Sequence, residues 1–255
     1  MNDRTVLLIM SIVSVLTLAM SVLLLIVSIP TDVESVDDDA TKTTNLYFNH
    51  EWFDFDISVG DVDAHSGDDF LRMVYSSITT PRFAVSDPVI DSLMDVLDER
   101  MKGMSDVEKA DALLDFVYMN TWFKTDEDLF GYREYVQYPS ETLLLGKGDC
   151  EDLSLLLYTL YMKSGLDAVL IHCNDHESVG VAVDKPGASV SFRGTEYIVA
   201  EPTSSYGVGQ FPLDDVWFVD KADDPMAAHV LRLLIVSIQL IIGFYLFSVW
   251  RGCRT

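Results

Sequence analysis

The amino-acid sequence predicts an α+β domain between two membrane-spanning helices. Apolar runs near both ends of the chain predict the spans. Between them, helical periodicity comes first and the period-2 alternation of strands follows. Helices followed by the strands of one antiparallel sheet are typical of an α+β layer architecture.

Two apolar runs are long enough to cross a bilayer. Residues 6–29 carry no charged side chain and exceed the ~20 residues that a transmembrane helix needs. No small-residue cleavage site follows this run, so we interpret it as an uncleaved anchor, with a cleaved signal peptide as the alternative. The second predicted span covers residues 228–250, where Gln239 alone interrupts the apolar run 233–249.

Basic residues beside the predicted spans indicate their orientation. Arg4 precedes the first span, and Arg251 and Arg254 follow the second, whereas the segment between the spans is acidic next to both. The positive-inside rule places residues 1–5 and 251–255 in the cytoplasm. We therefore expect a two-pass protein of the cell membrane whose central domain is extracytoplasmic.

The charge of the chain excludes one class of partner. The chain carries a formal net charge of −24, and its acidic residues are concentrated between the predicted spans. Such a surface repels polyphosphate, so we expect no nucleic-acid partner. Three cysteines are also too few for a disulfide framework. The charge itself indicates only solubility in a salt-rich or cation-rich medium.

The first part of the region between the spans is predicted to be an acidic linker. Residues 30–45 are polar and show no apolar period, which is typical of a flexible tether. The domain is predicted to occupy residues 46–222. It should begin with one or two short strands, because aromatic and polar residues partly alternate there. The aspartates of this stretch lack the glycine spacing of an EF-hand loop.

Three helices and then a sheet are predicted from residue 87 onward. The first helix covers residues 87–102, and the second begins at Ser105 with Glu108 at capping-box spacing. The third begins at Cys150 and ends at Gly165. The later segments AVLIHC, SVGVAV and TEYIVAE alternate as strands and are separated by turn residues.

Cys150, His176 and Glu201 are candidates for a nucleophile, a base and a residue that orients the base. The N-terminus of a helix favours a thiolate, so we expect a lowered pKa for Cys150. Adjacent antiparallel strands can bring His176 and Glu201 together. A free cysteine is more often a small apolar residue of a core. From spacing alone, a surface histidine in a turn and a glutamate before a proline also remain an alternative.

Carboxylates flank this cysteine closely. We interpret Asp149 as a helix cap and Asp152 as the partner of a nearby loop, and we assign no catalytic role to either or to Glu151. A carboxylate beside a thiol opposes the formation of the thiolate.

Longer motifs around these residues resemble a known family. The run EYVQYPSETLLLGKGDCEDLSLLLYTLYMKSGLDAVLI, followed by HESVGVAV and EYIVAEPTSSYGVGQFP, resembles the transglutaminase-like domains of archaeal and bacterial membrane or secreted proteins. The resemblance spans residues 46–219 and implies a papain-like fold, in which the helix that begins at the nucleophile packs on an antiparallel sheet. It also implies that Cys150 is the nucleophile, that His176 is the base, and that Glu201 stands where most transglutaminases have aspartate.

This resemblance implies acyl transfer through a thioester. The expected substrate is an amide or isopeptide bond of an envelope protein or peptide, and the sequence does not fix whether the acceptor is water or an amine. The backbone N–H of Cys150 is the first candidate to bind the oxyanion, with Gln137 or Tyr138 as the second. We expect neither a metal nor another cofactor.

Two other interpretations remain open. His172, Cys173 and His176 are close in sequence and are zinc ligand types, but a strand at this position would point the first two to opposite faces. The second alternative is a non-catalytic peptide-binding module on the same fold. Loss of the cysteine or the histidine would be its usual mark, and both are present.

Overall fold

The computed structural model describes residues 41–63, 87–131, 135–213 and 215–221. The predicted spans, 6–29 and 228–250, lie outside these ranges, as do residues 1–5, residues 251–255 and most of the predicted linker. Within the described ranges, none of the helices combines the length and the apolar composition that crossing a membrane requires.

Six helices and nine strands occur in the described residues. The helices are α1 (Val59–Asp63), α2 (Pro88–Arg100), α3 (Asp106–Asn120), α4 (Asp126–Phe130), α5 (Pro139–Leu145) and α6 (Cys150–Lys163). The first four strands are β1 (Thr41–Phe48), β2 (Glu51–Ser58), β3 (Trp122–Phe123) and β4 (Lys147–Gly148). The other five are β5 (Ala168–Cys173), β6 (His176–Val181), β7 (Ser189–Phe192), β8 (Thr195–Ala200) and β9 (Val216–Asp220).

The first hairpin corrects the predicted boundary of the linker. β1 begins at Thr41, so residues 41–45 belong to the folded domain. They pair with β2 in an antiparallel register, in which the Thr43 hydroxyl donates to Asp56 at 2.6 Å and the Asn45 amide donates to Asp54 at 2.8 Å. These polar pairs lie on the exposed side of the hairpin, so they leave no apolar period in the sequence.

Helix caps form where the local sequence predicts them. Ser105 and Glu108 make the predicted capping box at the start of α3. One carboxylate oxygen of Asp87 accepts from backbone N–H groups in the first turn of α2, and the other accepts from the backbone N–H of Ser140 at 2.9 Å. Asp87 therefore caps α2 and also ties it to α5.

The main sheet has five strands in the order β7-β8-β6-β5-β9, and all neighbours are antiparallel. The predicted α+β class is confirmed. α6 packs on β5 and β6 and on α2, α3 and α5. Its residues are buried without a break from Asp152 to Tyr161, as expected of a helix covered on all sides. The first turns of α6 thereby lie next to the start of β6, where Ser154 contacts Glu177.

Candidate active site

The start of α6 is fixed by a buried aspartate. Asp152 accepts from the backbone N–H of Gln137 at 2.7 Å, from Gln137 Nε2 at 2.6 Å and from the backbone N–H of Asp149 at 3.2 Å. A Cβ on Gly148 would lie only 2.6 Å from the Cβ of Asp152, so glycine permits this close approach. The prediction that Asp152 partners a nearby loop is confirmed. Cys150, the first residue of α6, is half-buried at this junction.

β6 lies against the first turns of α6. The Ser154 hydroxyl donates to the carbonyl oxygen of Glu177 at 3.0 Å. The backbone of Glu177 lies near enough to Cys150 to act on its thiol pKa, which it lowers against the larger effects of burial and Glu151. Since Cys150 and Ser154 are four residues apart, they lie on the same face of the helix. The strand segment that begins with His176 is thus held next to the candidate nucleophile.

The structure brings His176 and Glu201 together. His176 Nε2 lies 2.7 Å from Glu201 Oε2, and Glu201 is 1% exposed. The other carboxylate oxygen of Glu201 accepts from the backbone N–H of Thr203 at 3.0 Å and from its hydroxyl at 2.5 Å. The longer arm of glutamate therefore reaches the imidazole.

The hydrogen bond between His176 and Glu201 shifts the pKa of both residues. The hydrogen bond that His176 donates to Glu201 raises the pKa of His176 against the opposing effect of burial. Burial alone would raise the pKa of Glu201, but the hydrogen bonds from His176 and Thr203 lower it below its ordinary value. Glu201 is thus ionised near neutral pH and favours the imidazolium form of His176.

The thiol of Cys150 is bound by a neighbouring carboxylate. Its sulfur donates to Glu151 Oε2 at 3.0 Å, and no hydrogen bond joins it to His176 in the part of the chain that the structure describes. Burial, followed by the charge and hydrogen bond of Glu151, raises the pKa of the Cys150 thiol. The expectation that the helix N-terminus lowers this pKa is therefore wrong for this structure. Desolvation and the adjacent anion outweigh the helix end.

Three carboxylates meet beside the nucleophile. Ligand oxygens of Asp126, Asp149 and Asp152 lie within 4.8 Å of one another, and a second such group joins Asp149, Cys150 and Glu151. Burial and then neighbouring carboxylates raise the pKa of Asp149 to about 9, and burial raises that of Asp152 to about 8. One oxygen of Asp149 is buried without a hydrogen-bond partner.

The group formed by Asp126, Asp149 and Asp152 offers only oxygen ligands and could hold a metal ion. Carboxylate oxygens suit a hard divalent cation such as Ca²⁺ or Mg²⁺, which would relieve the repulsion among the three groups. The sequence analysis missed this cluster, because Asp126 is 23 positions from Asp149 and only the fold brings α4 to the start of α6. In the sequence, the only indication of this cluster is that Asp126 lies in the acidic run TDED, residues 125–128.

The two candidate oxyanion donors have structural partners. Gln137 is 1% exposed, and both its backbone N–H and its side-chain amide donate to Asp152. The backbone N–H of Tyr138 donates to Glu141 at 2.6 Å. Tyr138 is the N-cap residue of α5. Gln137 therefore connects directly to the helix that begins at Cys150, and Tyr138 precedes a separate helix.

The zinc alternative gains no support from the described residues. His172 Nδ1 lies 2.8 Å from Glu177, and His176 contacts Glu201. Cys173 packs in the apolar cluster with Val169 and Ile171. Among the described residues, no group of close ligand atoms joins His172, Cys173 and His176. Cys150 and Cys173 are both free thiols.

Exposed aromatic side chains lie on β3 and on β9. On β3, Trp122 and Phe123 are 76% and 51% exposed, and β3 pairs with β4 immediately before Asp149. On β9, Trp217 donates from its indole nitrogen to the carbonyl oxygen of Cys173 at 3.0 Å, and it is 71% exposed. The ring of Phe218 lies 5.3 Å from that of His172. The sequence analysis did not identify these residues.

Comparisons with known proteins find distant structural likenesses. No family model matches the chain, and no curated protein matches it. One solved structure, Legionella pneumophila LapG, superposes with a TM-score of 0.38 and 14% identity over 50% of this chain and 71% of that chain. Legionella pneumophila LapG treated with EGTA gives a TM-score of 0.35 and 16% identity over 44% and 61%. Overlaps this small do not decide activity, so function is inferred from the geometry of the site.

Proposed function

We propose that the protein is a cysteine enzyme that transfers acyl groups from an amide or isopeptide bond of a protein or peptide. The observation that carries this proposal is the 2.7 Å contact between His176 Nε2 and Glu201 Oε2. His176 begins β6, and the next residue of this strand, Glu177, accepts from Ser154 of the helix that begins at Cys150. A buried carboxylate that orients an imidazole beside a thiol at a helix start is the arrangement of nucleophilic cysteine catalysis.

The chemical steps follow from these three side chains. His176 accepts the thiol proton, and the sulfur of Cys150 forms a bond to the carbonyl carbon. The electron pair of the carbonyl moves to its oxygen, which the backbone N–H of Cys150 and an amide hydrogen of Gln137 would bind. Collapse of this intermediate expels the amine, which takes the proton from His176. Water or a second amine then gives a proton to His176 and bonds to the thioester carbon, the carbon–sulfur bond breaks, and the sulfur of Cys150 recovers the proton from His176.

His176 Nδ1 is the ring nitrogen suited to the thiol, because Nε2 contacts Glu201. In the resting arrangement the thiol donates to Glu151 instead. Catalysis then requires the sulfur to turn from Glu151 toward His176, and catalytic hydrogen bonds are often long before substrate binds. Glu151 would therefore favour the protonated thiol of Cys150 until the sulfur turns away from it.

A divalent cation fits this proposal without being part of a step. Asp126, Asp149 and Asp152 would hold it, and its positive charge next to the helix start would favour the thiolate of Cys150. The three residues themselves would then position the first turn of α6.

The proposed substrate is an extended polypeptide with apolar side chains near the reacting bond. The exposed aromatic residues Trp122, Phe123, Trp217 and Phe218 support this choice, since exposed apolar surface beside a site indicates a binding region. We further propose that the predicted spans, 6–29 and 228–250, anchor the domain outside the cell membrane, where envelope proteins would be its substrates.

A direct test uses the full chain with glutamine-containing and lysine-linked peptide libraries, with and without a primary amine. Mass spectrometry would detect hydrolysis, deamidation or amine incorporation, and Cys150→Ala should abolish each of these while the fold is retained. Cys173→Ser is the matched control and should remain active. Equal product from wild type and Cys150→Ala would refute the proposal.

One observation favours a second candidate function, a non-catalytic peptide-binding module. The raised pKa of the Cys150 thiol and its bond to Glu151 would suit a cysteine with no chemical role. In that case Cys150→Ala would leave peptide affinity unchanged, and no peptide would become covalently attached to wild type. A trapped thioester between Cys150 and a peptide would exclude this alternative.

A further inference from the structure

A cavity of about 270 Å³ lies between the turn of the first hairpin and the C-terminal half of α3. We call it the hairpin cavity. Residues 47–50 of the hairpin line it, together with side chains of α3 from Ala112 to Met119 and with Ser205. None of these residues belongs to the candidate active site.

Hydrogen bonds from Asn120 fix the two main walls of the hairpin cavity to each other. The side-chain oxygen of Asn120 accepts from the backbone N–H of Tyr47 at 2.7 Å. Its amide nitrogen donates to the carbonyl oxygen of Tyr47 at 2.8 Å and to that of Phe116 at 2.7 Å. The rings of Phe48 and Phe116 also pack edge to face, with centroids 6.2 Å apart. A cavity with fixed walls binds a ligand at a small cost of ordering.

The lining is mainly aromatic and apolar. Phe48 and Phe116 are buried, whereas Tyr118 and Met119 are exposed at its edge. Aromatic ring faces carry partial negative charge and attract cations. The walls therefore suit a ligand with an apolar body, and they favour one that is positively charged.

Asp115 supplies a carboxylate to this lining. Among the described residues, no hydrogen bond or ion pair joins its side chain to a partner, because Lys185 is bound by Asp111 at 2.6 Å and His50 contacts the Tyr47 hydroxyl at 3.3 Å. Burial and then the charge of Asp111 raise the pKa of Asp115, against the weaker effects of His50 and Lys185. A cation at Asp115 would offset both causes of this rise.

We propose that the hairpin cavity binds a small organic primary amine, whose ammonium group contacts Asp115 and whose apolar body packs against the aromatic rings. A metal ion fits less well, since Ca²⁺ takes six to eight oxygen ligands and the lining has a single carboxylate. An anion would be repelled by Asp115. The proposal goes beyond acyl transfer, because it assigns a ligand to a cavity that Cys150 does not line.

The test is isothermal titration calorimetry of the full chain in detergent micelles, with a titration into empty micelles subtracted. Benzylamine is the probe, and benzyl alcohol is a probe of the same size without the charge. We expect benzylamine to bind saturably at one site and benzyl alcohol to bind about tenfold more weakly, because it lacks both the ion pair and the attraction to the rings.

Two variants locate the charge and the wall. Asp115→Asn should weaken benzylamine binding about fivefold, since it removes the ion pair. Asp106→Asn makes the same charge change at an exposed position of α3 and should bind like wild type. Tyr118→Ala should weaken the binding of both probes about threefold, because it removes part of the wall that their rings contact.

Methyl NMR of the full chain gives a second, independent location. Benzylamine should shift the methyl signal of Met119, which lines the hairpin cavity, and leave that of Met162 on α6 unchanged. If Asp115→Asn does not fold, as judged by circular dichroism, the comparison of the two probes and the Met119 signal decide the matter.

The proposal is overturned if benzyl alcohol binds as tightly as benzylamine, if Asp115→Asn binds like Asp106→Asn, or if the Met119 signal does not move. Cys150→Ala should bind benzylamine like wild type. Loss of binding in that variant would place the amine at the acyl-transfer site and would also overturn the proposal. The proposed function fails separately, when Cys150→Ala keeps its acyl-transfer activity.

Discussion

The Cys150 thiol donates to the carboxylate of Glu151, the next residue of the chain, at 3.0 Å. This contact, together with burial, holds the sulfur in its protonated form. An enzyme that uses Cys150 must therefore overcome a local anion before the sulfur can attack. The arrangement leads to testable consequences for reactivity, protonation and cation binding.

Glu151→Gln should make Cys150 more reactive. The substitution removes the negative charge beside the sulfur, so the pKa of the thiol falls and the thiolate fraction rises at neutral pH. We expect at least about a tenfold faster alkylation at neutral pH, which corresponds to one pKa unit. Peptide-resolved mass spectrometry after timed exposure to iodoacetamide measures this rate. Glu127→Gln, an exposed glutamate on α4, is the control and should react like wild type. Equal rates in both variants would contradict the role assigned to Glu151.

Glu201→Gln should lower the pKa of His176. In wild type the hydrogen bond and charge of Glu201 raise this pKa above its ordinary value of 6.5, whereas burial acts in the opposite direction. Without the carboxylate charge, burial should move the pKa toward or below 6.5. Titration of the imidazole by NMR measures the change. A His176 pKa that stays at the wild-type value in the variant would show that Glu201 does not control the ring.

The same pair predicts how stability depends on pH. His176 has a raised pKa in the folded state, so its contribution is complete below 6.5 and is lost as the pH rises through the folded value. Glu201 has a lowered pKa, so its contribution is complete above 4.5 and is lost as the pH falls through the folded value. The difference in melting temperature between wild type and Glu201→Gln should be largest between these two pH values. A difference that keeps growing above or below this window would contradict the linkage.

A divalent cation should stabilise the domain through the aspartate cluster. At 100 times its dissociation constant, a bound ion adds about 2.7 kcal/mol to the free energy of unfolding, so the melting temperature should rise by several degrees in Ca²⁺ or Mg²⁺. Asp126→Asn should abolish this response, because it removes one of the three carboxylates that would bind the ion. Differential scanning calorimetry measures both effects.

Asp128→Asn is the control for this cluster, since Asp128 is an exposed residue of the same helix. It should retain the full response to the ion. The cluster would lose its proposed role if Asp126→Asn and Asp128→Asn responded equally, or if no cation shifted the melting temperature of wild type.

Gln137→Ala should destabilise the domain. Its side-chain amide donates to Asp152, a residue with 0% exposure, and alanine would remove that donor from a buried carboxylate. The expected cost is about 1–3 kcal/mol of unfolding free energy. Chemical denaturation measures it, with Gln210→Ala as the comparison at an exposed glutamine. If Gln137 also binds the oxyanion, turnover should fall further while the alkylation rate of Cys150 stays unchanged.

Short-range signals in the sequence predicted much of the fold. The capping box of Ser105 and Glu108 depends on residues three positions apart, and both the box and the helix after it are present. The strands β5, β6 and β8 follow alternating apolar runs, and antiparallel neighbours explain how His176 meets Glu201. Spacing of this kind is visible without knowledge of the tertiary structure.

Other features depend on contacts that the sequence does not display. The strand at residues 41–45 is stabilised by polar partners on β2, so its pattern resembles that of a linker. The approach of Asp126 to Asp149 requires α4 to lie beside the start of α6. The raised pKa of Cys150 reflects burial first and Glu151 second, and burial cannot be read from the position of a residue at a helix end.

The central claim is that His176, oriented by Glu201, activates Cys150. The most direct measurement compares the pH profile of Cys150 alkylation in wild type and His176→Ala, in the full chain with the site resolved by mass spectrometry. We predict that loss of the imidazole slows the reaction by at least about tenfold at neutral pH and moves its midpoint to higher pH, since a nearby imidazolium stabilises the thiolate. Superimposable profiles would contradict the account.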